Sequence, residues 1–600
     1  MSCIREFLRR AEADLPVYIS DVREAFAREG ERPCVLLLRL YDGSERRFDL
    51  RLPRFETARE RAFGGSFLHA MLYNCLSALG ARGVEVCFDP ADEELKKIVA
   101  ALPEVFQVGL ARRERSGYGK CLNVNERTLA ALCGQGAAFC IAPRDIATLP
   151  PAREEAAAAL AGAPVFDKLP ARAAGRILMG MDVGGTDVKL AASVDGALRV
   201  FKEYDWFPAG FDRAEALIEP MLLLTRLMRD GACCHRALGG VPAAFQPAFD
   251  KEASDARMRD ACEGMEALLG GRLEGFDAIG LCFPDVVVRG RIVGGETPKT
   301  QGMRENRALD YETEFAKLAG LCERLRAYVR EGGAVLNTND GPMAAFTSAV
   351  EQAAAGAELS RGFFAHTLGT DLGTGWVLPD GSIPEMPLEV YNFIVDLGSF
   401  GQRAFDPEDV RSVRNVNTGL CGTLQKCAGQ SGVFRLGAKY LPERDPKTYA
   451  RLFERGLFAR EGERLFVPTA PADMRKPCLE FFMREAEDPS SVCAELFRAV
   501  GESLGVCWKE TQYILRPACE ERTLFGRLVK TEACFARICE GARRVAPGLV
   551  LRAADGALAN TPLMRQLAAH PHYTVAQFGQ AVGAIYFGCL GLEDCAGKEV

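Results

Sequence analysis

The chain alternates short apolar runs with amphipathic segments along most of its length. Apolar runs of about four to eight residues bounded by turn residues predict strands, and apolar residues recurring at helical spacing predict helices. Predicted strands are 34–40, 46–52, 84–88, the two arms of a hairpin within 177–190, 198–204, 276–283, 334–337, 363–368, 376–378 and 523–528. Predicted helices are 56–79, 152–161, 213–229, 311–331, 341–355, 448–457, 490–515, 532–544 and 574–590. Strands alternating with helices in this way are typical of an α/β fold.

The length of 600 residues exceeds what one hydrophobic core supports, so about two to four domains are expected. Residues 1–145 are predicted to be an α/β module of unknown role, followed by a Pro- and Ala-rich linker at 146–175. Two further domains are predicted at 176–360 and 361–600. Polar stretches at 231–275 and at about 384–475 are predicted to be insertions, the second of them largely irregular.

The hairpin at 177–190 is the most informative segment. An apolar run ends at Asp182, turns on Gly-Gly-Thr at 184–186, and continues as an apolar run through Lys189. Backbone N–H groups of a glycine turn approach an anion closely because no Cβ intervenes. A carboxylate just before the turn can hold Mg²⁺, directly or through water. The segment therefore suggests phosphoryl transfer, although Gly-Gly between apolar runs is also an ordinary turn.

Two polar segments downstream are candidates for binding and catalysis. Phe283-Pro284-Asp285 ends a predicted strand, and the following loop Thr297-Pro298-Lys299-Thr300 has the side chains to line a polyol pocket. Asn339 and Asp340 lie between a short predicted strand and a helix. A carboxylate there can take the proton of a substrate hydroxyl as its oxygen attacks phosphorus, and the asparagine can bind a neighbouring hydroxyl. Taken singly, each segment is equally typical of an ordinary loop or helix N-cap.

A second glycine-rich turn, Leu368–Gly375, lies between two predicted strands. Its N–H groups and threonine hydroxyls could bind the remaining phosphates of a nucleotide. A lone glycine cluster is weak evidence, and the order and spacing of the whole set make it more specific.

In this order, the motifs resemble the sugar-kinase and hexokinase branch of the actin-like ATPase superfamily, most closely the ROK family (repressors, open reading frames and kinases). Asp182-Val-Gly-Gly-Thr186 resembles its first phosphate hairpin, and Leu368–Gly375 its second. Asn339-Asp340 resembles its Asn-Asp pair, and Thr523–Arg527 its adenosine-contacting strand and turn. The small-residue segment Gly579–Gly588 resembles its closing helix. The resemblance covers about residues 176–592 and leaves out the N-terminal module.

The resemblance implies a two-lobed actin-like ATPase fold, ribonuclease H-like in each lobe, with a cleft between the lobes. It implies ATP-dependent phosphorylation of a sugar hydroxyl, with ATP and Mg²⁺ as cofactors and 176–360 and 361–600 as the lobes. Asp340 would be the general base, and Asp182 would position Mg²⁺ through water. The remaining predicted site residues are Asn339, Glu389, Thr297 and Lys299 for the sugar, and Gly184, Gly185, Thr186, Lys189, Gly369, Thr370, Gly373, Gly375 and Gly526 for the nucleotide.

Several positions depart from the ROK pattern. Leu388-Glu389-Val390-Tyr391-Asn392 stands where the family has Gly-Glu-Ile-Gly-His, so that asparagine replaces the histidine. The zinc motif that follows in many ROK proteins is reduced to Cys421 and Cys427, and no structural zinc is expected. Asp371 and Asp187 add negative charge at the two phosphate turns, which suggests an altered metal arrangement or reduced catalysis.

Composition limits the other possibilities. A net charge of −7 argues against a nucleic-acid partner. The 22 cysteines include no Cys-x-x-Cys pair and are expected to be buried thiols in a reducing compartment. The N-terminus lacks a signal-peptide pattern, and no run is apolar enough to span a membrane. We therefore expect a cytoplasmic protein that binds a sugar and ATP. The sequence leaves open whether it is a monomer or a homodimer.

Two alternatives to a kinase remain open. A ROK-like sugar or nucleotide sensor could use the same fold without catalysis, although the strands in residues 1–145 argue against a simple helix-turn-helix module. An actin-like ATPase that acts on a protein partner is the other. The activators of radical dehydratases among such ATPases need an iron–sulfur site, whose cysteine spacing is missing here.

Overall fold

The computed structural model describes residues 3–134, 136–151, 164–369, 372–554 and 559–592. The N-terminal elements are α1 Cys3–Glu12, α2 Ile19–Glu29, β1 Arg32–Arg39, β2 Glu45–Leu52, α3 Ala58–Ala78, β3 Gly83–Phe88, α4 Glu93–Val105, α5 Lys120–Cys133 and β4 Cys140–Asp145. The predicted helix at 152–161 lies outside the described residues.

The elements that follow, in chain order, are α6 Leu169–Arg172, β5 Ile177–Val183, β6 Asp187–Val194, β7 Ala197–Asp205, α7 Ala214–Leu238, α8 Asp255–Leu269, β8 Phe276–Phe283, β9 Val287–Val288, β10 Arg291–Ile292, α9 Gln301–Glu305, α10 Tyr311–Ala319, α11 Leu321–Leu325, β11 Val329–Asn339 and α12 Asp340–Ala354. The remaining elements are β12 Phe363–Leu368, β13 Leu372–Val377, α13 Leu424–Ala428, α14 Gln430–Arg444, α15 Pro446–Glu454, β14 Ala459–Glu461, β15 Arg464–Phe466, α16 Arg475–Glu485, α17 Val492–Ile514, β16 Arg522–Phe525, α18 Glu532–Val545, β17 Leu551–Ala553, α19 Pro562–Ala568 and α20 Val575–Gly588.

The chain forms two compact units. The first unit comprises Met1–Ala159, His366–Thr374 and Met386–Ala553. The second unit comprises Leu160–Ala365, Gly375–Glu385 and Ala554–Val600. The N-terminal α/β residues thus share a unit with the segment that was predicted to carry an insertion, and the predicted domain boundaries stay predictions.

The second unit is built on a five-stranded sheet in the order β11-β8-β5-β6-β7. β5, β6 and β7 form an antiparallel meander, and β8 and β11 extend it in parallel on the other side of β5. A meander followed by two parallel strands beside its first strand is the topology of the ribonuclease H-like fold. The α/β class and this fold, both predicted from the sequence, are confirmed.

Helix α20 lies close against this sheet because two strands carry glycine where they face it. A Cβ added to Gly180 would lie 1.8 Å from the carbonyl oxygen of Ala581, and one added to Gly280 would lie 1.8 Å from that of Ala584. On the opposite face, alternate residues of β5 such as Met179 join the buried core formed with α7, α8 and α10. Side chains at even-numbered positions of β5 therefore point toward α20.

The first unit contains a sheet in the order β2-β1-β3-β4, with β1 antiparallel to β2 and β3, and β4 parallel to β3. A further sheet, in the order β13-β12-β16-β17, is made of a hairpin and two strands added beyond β12. This order corresponds to β6-β5-β8-β11 in the five-stranded sheet, and no described strand of the smaller sheet corresponds to β7. The hairpin strands β12 and β13 each divide between the two units.

The stretch 231–275, predicted to be an insertion, contains helical residues that the sequence pattern did not predict, and its status as an insertion stays a prediction. Helix α7 continues to Leu238, with Ala232, Cys233 and Cys234 fully buried. Helix α8 buries Met258, Cys262, Met265 and Leu269, a helical spacing that charged neighbours concealed.

The predicted helix 311–331 is also wrong in its second half. It ends at Ala319, and Gly320 separates it from the five-residue helix α11. Strand β11 then begins at Val329, which pairs with Phe276 of β8. After a register irregularity, the pairing with β8 resumes at Ala334, opposite Ala278. In the predicted irregular segment, α14 is a full helix of 15 residues. Among the described residues, no helix is both long and apolar enough to span a membrane.

We predict that Gly280→Ala destabilises the second unit. Its new Cβ would meet backbone atoms of α20, which cannot give way as a flexible side chain can. Overpacking of this kind costs about 3 kcal/mol, or roughly 6–12 °C in Tm. Thermal unfolding measures the effect, and Gly271→Ala is the control because its Cβ would meet nothing within 4 Å. Equal melting temperatures of the two variants would contradict the close packing of α20.

Candidate active site

A tryptophan side chain and backbone support the glycine turn at 184–186 through hydrogen bonds. Gly184 closes the hairpin by donating its N–H to the carbonyl of Asp187 at 2.8 Å. Trp206, which follows β7, donates its indole N–H to Gly184 at 3.0 Å and its backbone N–H to Thr186 at 3.0 Å. The turn residues Gly185 and Thr186 are exposed. The predicted hairpin is confirmed, and its tip is an exposed stretch of backbone held by these three hydrogen bonds.

Asp182 lies at the end of β5, on the face toward α20. Its register partners are Lys189 on β6 and Cys282 on β8. The thiol of Cys282 donates a hydrogen bond to Asp182 Oδ1 at 3.2 Å. Burial raises the pKa of Asp182 from 3.8 to about 6, with contributions from the nearby carboxylates of Asp340 and Asp187. The thiol hydrogen bond and the charge of Lys189 lower this pKa, so that Asp182 ionises close to neutral pH.

The pair Asn339-Asp340 lies where β11 passes directly into α12. Asn339 caps the helix by accepting the N–H of Gly341 at 2.9 Å, and it donates its amide to the carbonyl of Asp285 at 2.7 Å. Asp285 is 4% exposed, and its carboxylate accepts the N–H groups of Val286 at 2.8 Å and Gly295 at 2.7 Å. Asn339 thus joins the start of α12 to the loop after β8, which fixes the position of Asp340.

The loop 297–300, predicted to bind the sugar, approaches the glycine turn. A Cβ added to Gly185 would lie 3.2 Å from Lys299 Cε and 4.0 Å from its Nζ. The structure therefore brings Lys299 to the glycine turn, where an ammonium group complements a phosphate. The hydroxyl of Thr297 is buried and has no hydrogen-bond partner among the described residues.

Lys189, predicted to contact the nucleotide, pairs with Asp187 Oδ1 at 2.7 Å. Asp187, Glu203 and Asp205 form a group of three acidic side chains close enough to share an ion. Lys251 already lies 2.9 Å from Glu203 and 3.1 Å from Asp205. The extra carboxylate of Asp187 is therefore balanced by lysine within its own sheet.

Glycines predicted to contact the nucleotide also have packing roles. A Cβ at Gly375 would lie 2.4 Å from the carbonyl oxygen of Gly341 in the first turn of α12. Gly526 has φ +99°, and a Cβ there would lie 2.2 Å from the carbonyl oxygen of Leu368. Gly369 accepts the N–H of Gln430 at 3.1 Å, Gly373 is half-buried in β13, and Thr370 and Asp371 lie outside the described residues. Nucleotide contact by these residues stays a prediction.

Glu389 lies in the first unit and is 7% exposed. It accepts a hydrogen bond from Tyr391 at 2.8 Å. Asn392, which stands at the position of the family's histidine, is also buried, and its side-chain oxygen lies 3.5 Å from Asn415 Nδ2. Cys421 is half-buried and Cys427 buried, and the expected lack of zinc stays a prediction.

The structure brings together the predicted residues of the second unit, namely Asp182, Asp340, Asn339, Lys299 and the glycine turn. It adds Trp206, Cys282 and Asp285, none of which was assigned a role from the sequence. Cys282 and Trp206 are identified only through strand register. The role of Asp285 could have been predicted from the sequence, since a carboxylate directly after a Phe-Pro strand end is a candidate for anchoring the following loop.

No protein-family model matches the chain, and no curated protein matches it either. Solved structures do. A ROK family glucokinase from Streptomyces griseus, in complex with glucose and AMPPNP, has 14% identity and a TM-score of 0.34, covering 68% of this chain and 98% of its own. The ROK hexokinase from Thermus thermophilus has 20% identity and a TM-score of 0.33, covering 64% and 95%.

A hexokinase from Schistosoma mansoni, complexed with glucose, has 12% identity and a TM-score of 0.33, covering 82% of this chain and 99% of its own. These proteins are sugar kinases of the groups that the motifs resemble. At such identities and TM-scores, these likenesses support no conclusion about activity. Conclusions about activity rest on strand order and side-chain geometry.

We predict that Asp182→Asn changes the pH dependence of stability. Because the folded-state pKa is raised from 3.8 to about 6, protonated Asp182 favours folding at low pH, and this contribution is lost as the pH rises through about 6. The variant, measured with chelator present, should therefore gain about 1 kcal/mol relative to wild type between about pH 5 and 7.5. Thermal or urea unfolding measures it, with the exposed Asp260→Asn as control. A stability difference that does not vary with pH would contradict the prediction.

Proposed function

We propose that the protein is an ATP-dependent sugar kinase that transfers the γ-phosphoryl group of ATP to a hydroxyl of its acceptor. One observation carries the proposal: Asp182 and Asp340 interact at one end of a ribonuclease H-like sheet, beside an exposed glycine turn with a lysine over it. A phosphate-binding turn, a metal-compatible carboxylate and a general base are what phosphoryl transfer requires.

Asp340 is proposed as the general base. As the acceptor oxygen attacks the γ-phosphorus, its proton passes to the Asp340 carboxylate, and the bond from phosphorus to the ADP oxygen breaks. Asn339 holds the helix start that carries Asp340. Burial is the main cause of the raised pKa of Asp182, and the charge of Asp340 adds a smaller contribution in the same direction.

The residues around Asp182 fit a magnesium ion. Mg²⁺ is typically bound by one or two carboxylates together with substrate phosphates and water. Asp182 would supply the carboxylate, and N–H groups of the exposed turn would hold the phosphates that supply further oxygen ligands. When bound, the ion would neutralise charge on the phosphates. Lys299 is proposed to contact the phosphoryl group from the turn side, because its ammonium lies beside Gly185. The nucleotide and sugar roles of Gly369, Thr370, Gly373, Gly526 and Glu389 are part of the same proposal.

A panel of hexoses, amino sugars and polyols with Mg·ATP, read as ADP release, tests the proposal. Acceptor-dependent ADP release supports it. If ATP binds but no acceptor stimulates its turnover, the protein is better explained as a sensor. Acceptor-independent hydrolysis would instead favour an ATPase that acts on a protein partner.

We predict that Asp340→Asn lowers kcat by about 10²–10⁴-fold while ATP still binds, because a positioned base contributes that much. Acceptor-dependent ADP release and ATP affinity are the measurements. Asp310→Asn is the matched control, since Asp310 also lies at a helix start, and asparagine caps a helix equally well. Normal turnover in Asp340→Asn would exclude Asp340 as the base.

We predict that Gly185→Ala raises the KM for ATP about tenfold, equivalent to about 1.4 kcal/mol, because a Cβ keeps phosphate away from the turn. Its Cβ would meet only the flexible end of Lys299 at 3.2 Å, so Tm should change little. Gly240→Ala, whose Cβ would meet nothing within 4 Å, is the control. An unchanged ATP affinity would show that the turn does not contact phosphate.

A further inference from the structure

Residues 388–397, here called the acceptor loop because they include Glu389, are held by the N-terminal part of the chain. The last turn of α3 leaves backbone carbonyls without helical partners. Two of these accept N–H groups of the loop: Ala78 from Leu388 at 3.0 Å and Ser77 from Glu389 at 2.9 Å. The backbone of Glu389 is thus positioned directly by the C-terminal end of α3.

Asn74, one turn earlier in α3, forms a reciprocal pair with the same loop. Its side-chain amide donates to the carbonyl of Ile394 at 3.0 Å, and its oxygen accepts the N–H of Ile394 at 2.8 Å. Asn74 is completely buried. The Asn74 amide therefore makes the same two hydrogen bonds to Ile394 that a neighbouring β-strand would make. Removing the Asn74 side chain would leave the N–H and the carbonyl of Ile394 without these partners.

A third contact comes from the segment before α2. Ile19 donates its N–H to Val395 at 3.1 Å, and Leu397 donates to Val17 at 2.8 Å. Val17 donates to the carboxylate of Asp396 at 2.8 Å. Together with Asn74 and the end of α3, these bonds line the acceptor loop with N-terminal residues along most of its length.

The conformation of the loop at Glu389 needs this support. Leu388 has φ +53°, in the left-handed region that favours glycine. A leucine stays there only when surrounding contacts outweigh its local preference, and here its N–H is bonded to α3. The ROK pattern has glycine at this position, the residue that adopts a positive φ without strain.

We propose that residues 17–19 and 74–78 are a clamp for the acceptor loop, and that Asn74 is a positioning residue that sets Glu389 for acceptor binding. The N-terminal part of the chain then belongs to the acceptor site. The acceptor role of Glu389 rests on the proposed kinase function, whereas the clamp rests on the hydrogen bonds alone.

The test compares Asn74→Ala with Asn125→Ala in the full-length protein. Asn125 is an exceptionally close control because it is also completely buried and pairs reciprocally with a backbone N–H and carbonyl, those of Ala81, at 2.7 and 2.9 Å. Its partners, Ala81 and Tyr41, lie outside the acceptor loop. Both variants should lose stability, but only Asn74→Ala should loosen the loop.

Two readouts separate positioning from folding. In Asn74→Ala we expect the KM for the acceptor to rise at least about tenfold and the KM for ATP to stay within about twofold, with faster amide hydrogen exchange in peptides covering 388–397. Asn125→Ala should change neither KM nor exchange in the loop. If Asn74→Ala does not fold, Asn74→Ser, which stays uncharged and keeps a hydroxyl that can donate or accept a hydrogen bond, replaces it.

Equal acceptor KM values for the two variants would overturn the positioning role, and equal loop exchange would overturn the clamp. If wild type shows no acceptor-dependent turnover, the proposed function fails and the positioning role fails with it. The exchange comparison still decides whether the clamp exists in that case, so the two failures are distinguishable.

Discussion

The parallel register of β5, β8 and β11 is the constraint on which the candidate site depends. Asp182 pairs with Cys282, and Cys282 in turn pairs with Thr338, directly before Asn339. Because the carboxyl ends of these strands coincide, residues separated by about a hundred positions in sequence reach one edge of the sheet. A shift of one residue would turn Asp182 to the opposite face and into the apolar core. In this register a thiol and Lys189 offset part of the desolvation of the half-buried Asp182 carboxylate.

Much of this arrangement could be predicted from the chain, for identifiable reasons. The hairpin at 177–190 and strand 276–283 are marked by uninterrupted apolar runs, and local pattern suffices for such elements. Helix α8 was missed because charged residues dominate its composition and hide its buried methionines. Strand β11 was missed in part because a glycine pair and charges fill its first half. Trp206 and Cys282 could not be found, since their partners are decided by tertiary pairing.

In the first unit, too, contacts between distant parts of the chain could not be predicted from the sequence. Residues 1–145 carry no catalytic motif, and a sequence pattern cannot reveal that Asn74 pairs with Ile394, 320 positions away. Further contacts join the N-terminal residues to α17: the carboxylate of Glu510, fully buried, pairs with Arg23, and Lys509 pairs with Glu24 at 2.9 Å. A buried ion pair contributes little net stability but is costly to break. These ion pairs, like the contacts of Asn74, join the N-terminal residues to the rest of the first unit.

The indole of Trp206 has a consequence beyond support of the turn. It is one of only three tryptophans in the chain, and its N–H is bonded to Gly184 in the glycine turn. Indole emission responds to its hydrogen bonding and to nearby charge. The fluorescence of Trp206 should therefore respond to changes at the glycine turn. It can be measured in the unlabelled protein once the emission of Trp376 and Trp508 has been subtracted.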